Sequence, residues 1–235
     1  MQIKKKTIEN LVLLGAGYSS HEIIPILESI NKTKRFKIKA ILDDDKKYFK
    51  KNFKGIPISI GLENAYKYKN CSFVFGIGSY KNKNSREKIL KKTRLKKDQF
   101  PNIIDSTARI EDNVNLGYGN IIYPFSIICS DTKIENFCVF THGTIIAHKV
   151  KINSFTTVGS RTSILGNSKI GKEVFIGANV LIGENINVGD YSRVIMGTQL
   201  LKNLKTKEVA FGNPAKIFKI WILIKNLIWY QKKLI

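Results

Sequence analysis

The chain has 235 residues, 43% of them apolar and 25% charged, a composition that excludes a disordered or collagen-like chain and leaves room for one large domain or two small ones. Its net charge of +22 is uneven: residues 1–100 carry 24 Lys and Arg against 9 Asp and Glu (+15), residues 101–200 carry 8 against 8, and residues 201–235 carry 8 against 1 (+7). The basic flanks fit either a lysine-rich composition or attraction for phosphorylated molecules and anionic membrane surfaces. No helix-turn-helix or RNA-binding motif accompanies them, so no nucleic-acid partner is expected. Cys71, Cys129 and Cys138 lack zinc-type spacing and point to a reducing compartment. Met1 to Leu11 contain three lysines and no apolar leader core, and no run of eighteen apolar residues exists. A cytoplasmic protein is expected.

In chain order, Leu11 to Leu14 predicts a buried strand, followed by Gly15-Ala16-Gly17-Tyr18-Ser19-Ser20 and a helix from about His21. A glycine turn between strand and helix can present backbone N–H groups to a phosphate, or can be a plain structural turn. A second strand, Lys37 to Leu42, ends in Asp43-Asp44-Asp45, where a carboxylate could meet a ribose hydroxyl. A third, Ser72 to Phe75, ends in Gly76-Ile77-Gly78-Ser79. These elements predict a Rossmann-like α/β domain over residues 1–100.

From Ile104 onward every sixth residue is aliphatic or Phe140: Ile110, Leu116, Ile122, Ile128, Ile134, Phe140, Ile146, Ile152, Val158, and on through Ile164 to Leu200 without a slip. A helix of 3.6 residues per turn would scatter that set around its axis. A short strand followed by a sharp corner keeps it on one side, and three such units close a triangular coil of eighteen residues. The positions two residues earlier, among them Ser126, Thr132, Thr144, Thr156, Thr162 and Ser168, are small or β-branched and suit a narrow interior. Gly171, Gly177, Gly183 and Gly189 each follow an aliphatic position, where glycine tolerates a tight backbone. A left-handed parallel β-helix of hexapeptide repeats is predicted for residues 101–204, with coils about 4.8 Å apart.

Residues 205–235 form a basic, apolar tail. Its segment 217–235 includes Trp221 and Trp229 and is broken by Lys225 and Asn226, too short and too charged to span a bilayer. It reads either as a helix packed on protein or as an interfacial anchor contacting the inner membrane surface.

Three histidines are present, and two, His142 and His148, lie one repeat apart on the β-helix. A metal site needs a third ligand that this region does not offer, so no metal is expected. A single histidine acting as a general base is the remaining chemistry.

With those residues in view, the chain from about residue 8 to 216 resembles the hexapeptide-repeat sugar acetyltransferases of the sialic-acid O-acetyltransferase type, above all the bacterial nucleotide-amino-sugar N-acetyltransferases. The resemblance rests on Gly15-Ala16-Gly17, on Ile146-Ala147-His148-Lys149-Val150, on Gly166 through Lys172, on Phe175-Ile176-Gly177-Ala178-Asn179 and on Gly212-Asn213-Pro214-Ala215-Lys216. It implies acetyl-CoA as co-substrate, a nucleotide sugar as acceptor, a homotrimer, and a place in surface-glycan synthesis such as lipopolysaccharide. It also implies His148 as general base with Lys149 beside it, and the Gly166 N–H facing the thioester oxygen. Thr157, Gly177, Ala178 and Lys216 fall in the acetyl-CoA region, and Gly15, Gly17, Tyr18, Ser19, Asp43, Asp44, Gly78 and Ser79 in the nucleotide-sugar region. Three positions depart from the family pattern. Lys149 replaces an acidic residue after the histidine, Thr157 replaces a second histidine, and Tyr18 and Ser19 replace Gly-His in the opening loop. Transfer to a sugar hydroxyl, or a catalytically silent scaffold, remain the alternatives to N-acetylation.

Overall fold

Leu11, Val12, Leu13 and Leu14 are fully buried, as befits β1 (Glu9–Leu14), an interior strand of the first sheet. It runs parallel to β2 (Phe36–Asp43) on one side and, once its range Ser72–Phe75 is reached, to the strand that ends this sheet on the other. Between them come the antiparallel pair β3 (Asn52–Phe53) and β4 (Ile56–Ile60), so that with β5 (Ser72–Phe75) the order is β3-β4-β2-β1-β5. Helix α1 (Tyr18–Ile30) buries Ile23, Ile24, Ile26 and Leu27 and leaves Pro25 exposed. The computed structural model describes residues 9–30, 36–48, 51–77 and 85–219. They divide into two units, one within residues 1–107 and 117–124, the other within 108–116 and 125–235.

In the first unit, Lys92 on α2 (Ser85–Thr93) places its ammonium 2.7 Å from Asp44 Oδ2 and 3.0 Å from Glu63 Oε2. Partial burial alone would raise the Asp44 pKa, but hydrogen bonds from Lys92 and from the Leu62 N–H outweigh it and hold the carboxyl below its usual value. Lys92 is shifted up by the same contacts. A depressed carboxylate stabilises the fold above its unfolded pKa, near 4, and loses that contribution as pH falls through the folded value. The melting-temperature gap between the wild type and Lys92→Met is therefore expected to be open at pH 6 and to close by pH 2, as read by thermal denaturation across that range.

The second unit is a parallel β-helix. One face stacks Arg109–Ile110, Ile127–Ile128, Ile145–Ile146, Ser163–Ile164, Leu181–Ile182 and Gln199–Leu200. A second stacks Asn115–Leu116, Lys133–Ile134, Lys151–Ile152, Lys169–Ile170 and Asn187–Val188. The third contains Val139–Phe140, Thr157–Val158, Phe175–Ile176 and Arg193–Val194, continued by Glu208–Phe211 in parallel and Lys216–Lys219 in antiparallel pairing. Every position of the aliphatic column from Ile122 to Leu200 is buried.

Each corner is made by one residue of positive φ, and these recur every six positions from Asn113 to Gly197 without exception. Gly, Asn and Asp, which enter the left-handed region most readily, fill eight of the fifteen; Phe125, Phe137, Lys149, Phe155, Arg161, Glu173 and Tyr191 fill the rest. The glycines after the aliphatic column serve a different purpose from backbone permissiveness. A Cβ on Gly177 would lie 2.5 Å from the Met196 nitrogen, and one on Gly189 would lie 2.3 Å from that of Thr206. Close approach of the next coil is what requires glycine there.

The small residues beside the aliphatic column are a hydrogen-bonded ladder. Thr132, Thr156, Thr162 and Ser168 are completely buried, and their hydroxyls donate to the carbonyls of Ala147, Gly171, Gly177 and Gly183 at 2.7–2.9 Å. Three of those hydroxyls also accept the N–H of the coil above, from Val174, Val180 and Ile186. Thr162→Val keeps the shape and strands the Gly177 carbonyl and the Val180 N–H, at roughly 1–3 kcal/mol for each buried group left unpaired. Urea denaturation is expected to place Thr162→Val about 2–4 kcal/mol below wild type, with Thr162→Ser recovering most of the loss.

Candidate functional site

His148 and Gly166 occupy equivalent corners of successive coils, eighteen residues apart. The backbone holds both: the His148 carbonyl accepts the Asn167 N–H at 3.1 Å and the Gly166 carbonyl accepts the Asn185 N–H at 3.0 Å. The imidazole is exposed at the surface and lies over the glycine, since a Cβ built on Gly166 would fall 2.7 Å from His148 Cε1 and 2.8 Å from Nε2. Any side chain at 166 would displace the ring. Gly166 is itself buried, and among the described residues its N–H has no hydrogen-bond acceptor. The arrangement is a solvent-facing imidazole nitrogen beside an unpaired backbone donor.

Lys149 is the left-handed residue of the His148 corner, with φ 58°, and its side chain is exposed. It makes no ion pair among the described residues. Thr157 begins the next strand of the third face, paired with Phe175, and Gly177 and Ala178 follow that strand's neighbour one coil on. Gly177 is buried beneath the Met196 backbone, and Lys216 is exposed at the start of the last strand. These four therefore lie on a different face from the Lys151 strand that follows His148.

In the first unit the loops at the carboxyl ends of β1, β2 and β5 come together, the crevice where open α/β sheets bind ligands. Gly15 donates to Leu42 O at 2.7 Å and Gly76 donates to Leu14 O at 2.9 Å. Gly15 has φ 111° and abuts Ile77, while Ser20 donates its hydroxyl to the Gly15 carbonyl and stands where a Cβ on Gly76 would be. Asp43 fastens this loop: its Oδ2 accepts the Ala16 N–H at 2.6 Å and its Oδ1 accepts the Asp45 N–H at 2.8 Å. Asp44 is engaged by Leu62 and Lys92. Gly17 has open space around it, and the N–H groups of Tyr18 and Ser19 begin α1, ahead of any intrahelical acceptor. Gly78 and Ser79 lie outside the described residues.

Two residues near the loop carry no signal in the sequence. The third histidine, His21, packs its ring 3.7 Å centroid to centroid from Phe53 and 6.1 Å from Tyr18, which is 90% exposed. Phe53 belongs to the β3–β4 hairpin, so only the fold brings it to α1. Among the described residues, no group of three His, Cys, Asp or Glu is placed to hold a metal ion, and no helix is long and apolar enough to cross a membrane.

Because the ring over Gly166 can swing outward at little cost to packing, Gly166→Ala is expected to melt within a few degrees of wild type. Its His148 imidazole resonances should nonetheless shift clearly in a histidine-selective NMR spectrum. Unchanged resonances would mean the ring does not rest on the glycine.

Residues 10–93 match the family model described as the PglD N-terminal domain. A variant of perosamine N-acetyltransferase from Caulobacter crescentus, solved with CoA and GDP-perosamine, is 21% identical with a TM-score of 0.78, covering 90% of this chain and 98% of its own. The acetyltransferase domain of PglB from Neisseria gonorrhoeae FA1090, solved with acetyl coenzyme A, is 17% identical with a TM-score of 0.79, covering 90% and 100%. WeeI from Acinetobacter baumannii AYE is 23% identical with a TM-score of 0.76, again over 90% and 100%. Residues 10–93 thus match the PglD N-terminal domain model, and the chain, with its left-handed β-helix, shares the fold of these three structures.

Proposed function

We propose that the protein is an acetyl-CoA-dependent N-acetyltransferase acting on the amino group of a nucleotide-linked amino sugar. The observation that carries this reading is the imidazole of His148 resting on Gly166, with the Gly166 N–H free of any acceptor among the described residues. Similarity of fold to proteins solved with CoA and GDP-perosamine supports the choice of substrates.

A sugar amine is largely protonated at neutral pH and becomes a nucleophile only when a base removes its proton. His148, exposed on the coil corner, takes that proton. The Gly166 N–H donates to the oxygen that gains negative charge during attack, an interaction worth roughly 3–4 kcal/mol in comparable sites. Acetyl-CoA supplies the acyl group: as the amide forms, the thioester C–S bond breaks and CoA leaves as a thiolate that takes up the proton held by His148. Gly166 keeps its unpaired backbone N–H beside the imidazole, and Gly177 is assigned as a further CoA contact one coil face on. Thr157, Ala178 and Lys216 complete the proposed CoA contacts. The first unit binds the nucleotide through the loop that Asp43 fastens, with Gly15, Gly17, Tyr18 and Ser19 at the α1 N-terminus and Asp44 alongside; Gly78 and Ser79 complete the proposal from outside the described residues.

Lys149 gives the site an ammonium where the pattern of the resembled family has an acidic residue. That positive charge beside the base attracts an anionic acceptor. Assembly as a homotrimer is supported by the outward apolar residues Ile127 and Ile145, the latter 42% exposed, with Leu181 beyond Ser163 in the same stack.

His148→Ala is expected to lower transfer by at least 100-fold with CoA affinity unchanged, measured with acetyl-CoA and a panel of nucleotide amino sugars. Retained turnover would remove the base. Lys149→Glu is expected to raise the acceptor KM several-fold, read from initial rates over a range of acceptor concentrations. A higher kcat at constant acceptor KM would instead mark the lysine as a defect. Sedimentation should give a species of three chains.

A further inference from the structure

The second face of the β-helix stacks three lysines in register. Lys133 is paired with Lys151, and Lys151 with Lys169, on adjacent parallel strands, with Asn115 below and Asn187 above. All three point outward and are exposed, one rung every ~4.8 Å. Like charges directly opposite on neighbouring strands destabilise a sheet, and among the described residues none of the three is relieved by an ion pair.

A general lysine bias does not account for this column. Residues 101–200 are electrically neutral and contain only five lysines, yet three of the five fall in one vertical line. A fourth, Lys149, forms the corner next to it. The line also has a defined position. Each lysine follows by three residues a member of the corner column Ser130, His148 and Gly166, so the middle rung is level with the histidine and the upper rung with the glycine.

We propose that Lys133, Lys151 and Lys169 form a binding track for a diphosphate group; the assignment rests on the reading of His148 and Gly166 as the transfer site. A carboxylate brings one charge to three cations. A diphosphate brings at least two, with oxygens enough to meet each flexible ammonium as a point charge. The track is a single residue wide and flanked at its lower rung by Asp131 and Glu135, which disfavours a broad anionic surface such as a bilayer. Three rungs are also too short for the serial phosphate contacts of a polynucleotide. Of the two proposed substrates CoA is the one that would carry the group here, since the acceptor's nucleotide is assigned to the loop at the α1 N-terminus.

The test uses the full chain and binding instead of turnover. Inorganic pyrophosphate, GDP and CoA are titrated calorimetrically at low salt into the wild type, into the triple variant Lys133→Gln/Lys151→Gln/Lys169→Gln, and into the charge-matched control Lys37→Gln/Lys39→Gln/Lys96→Gln. Pyrophosphate affinity is expected to fall at least tenfold in the track variant and less than twofold in the control. Loss of CoA binding alongside identifies the acyl donor as the source, while GDP binding through the first unit is expected to be retained. Without anion the track variant should melt no lower than wild type, because repulsion has been removed, and pyrophosphate should raise the melting temperature of the wild type and the control but not of the track variant. Equal binding of all three probes by wild type and track variant overturns the proposal. That result would leave acetyl transfer by His148 untouched, and an inactive protein that still binds pyrophosphate through these lysines would reject the transferase reading alone.

Discussion

A chain that turns a corner every six residues must put one residue of each six into the left-handed region, and the β-helix depends on that requirement. Fifteen consecutive corners meet it, although seven are occupied by side chains that disfavour the conformation, at a cost of order 1 kcal/mol or more each. The cost is sustained because every corner aligns the strands on both sides. Without the turn at Lys149, Ile146 and Ile152 could not both face inward, and each would lose the aliphatic neighbours above and below it. The same turn projects His148 outward. Strain at the corner and exposure of the base are consequences of one backbone geometry.

The interior is held by two kinds of column, one apolar and one polar. The aliphatic column excludes water, and the hydroxyl column satisfies backbone groups that water can no longer reach. Neither suffices alone: an all-aliphatic interior would leave the corner carbonyls unpaired in a dry core. Rigidity of this kind keeps His148 and Gly166 in contact without direct side-chain hydrogen bonds, since their carbonyls are fixed by the coil above.

Much of this architecture was legible in the residues, unevenly. The six-residue period needs no tertiary information, because identical aliphatics recur at a spacing no helix can use. The small column was visible too, but as a matter of size; that its hydroxyls bridge coils fifteen and eighteen residues apart emerges only from stacking. The corner register was hidden because Phe137, Lys149 and Tyr191 do not look like turn residues. His148 and Gly166 could be placed together from the eighteen-residue coil. The grip of Asp43 on Ala16 and the contact of His21 with Phe53 join distant segments, and no local pattern announces either. β1, β2, β5 and the start of α1 lie within a few residues of where the sequence puts them, whereas the β3–β4 pair and α2, short and lysine-rich, carry no such signal.

The strict period also limits how such a chain can change in length. One inserted residue would invert the sidedness of everything after it, and even six would rotate all later coils onto the next face. Only whole coils of eighteen residues can be gained or lost with the faces intact. The span between the His148 corner and either end of the β-helix is therefore quantised, in steps of ~4.8 Å. A descendant of this protein that had to reach a longer or shorter ligand would have to do so in those increments, or through the strands Glu208–Phe211 and Lys216–Lys219, where the repeat has ended and length is free to vary.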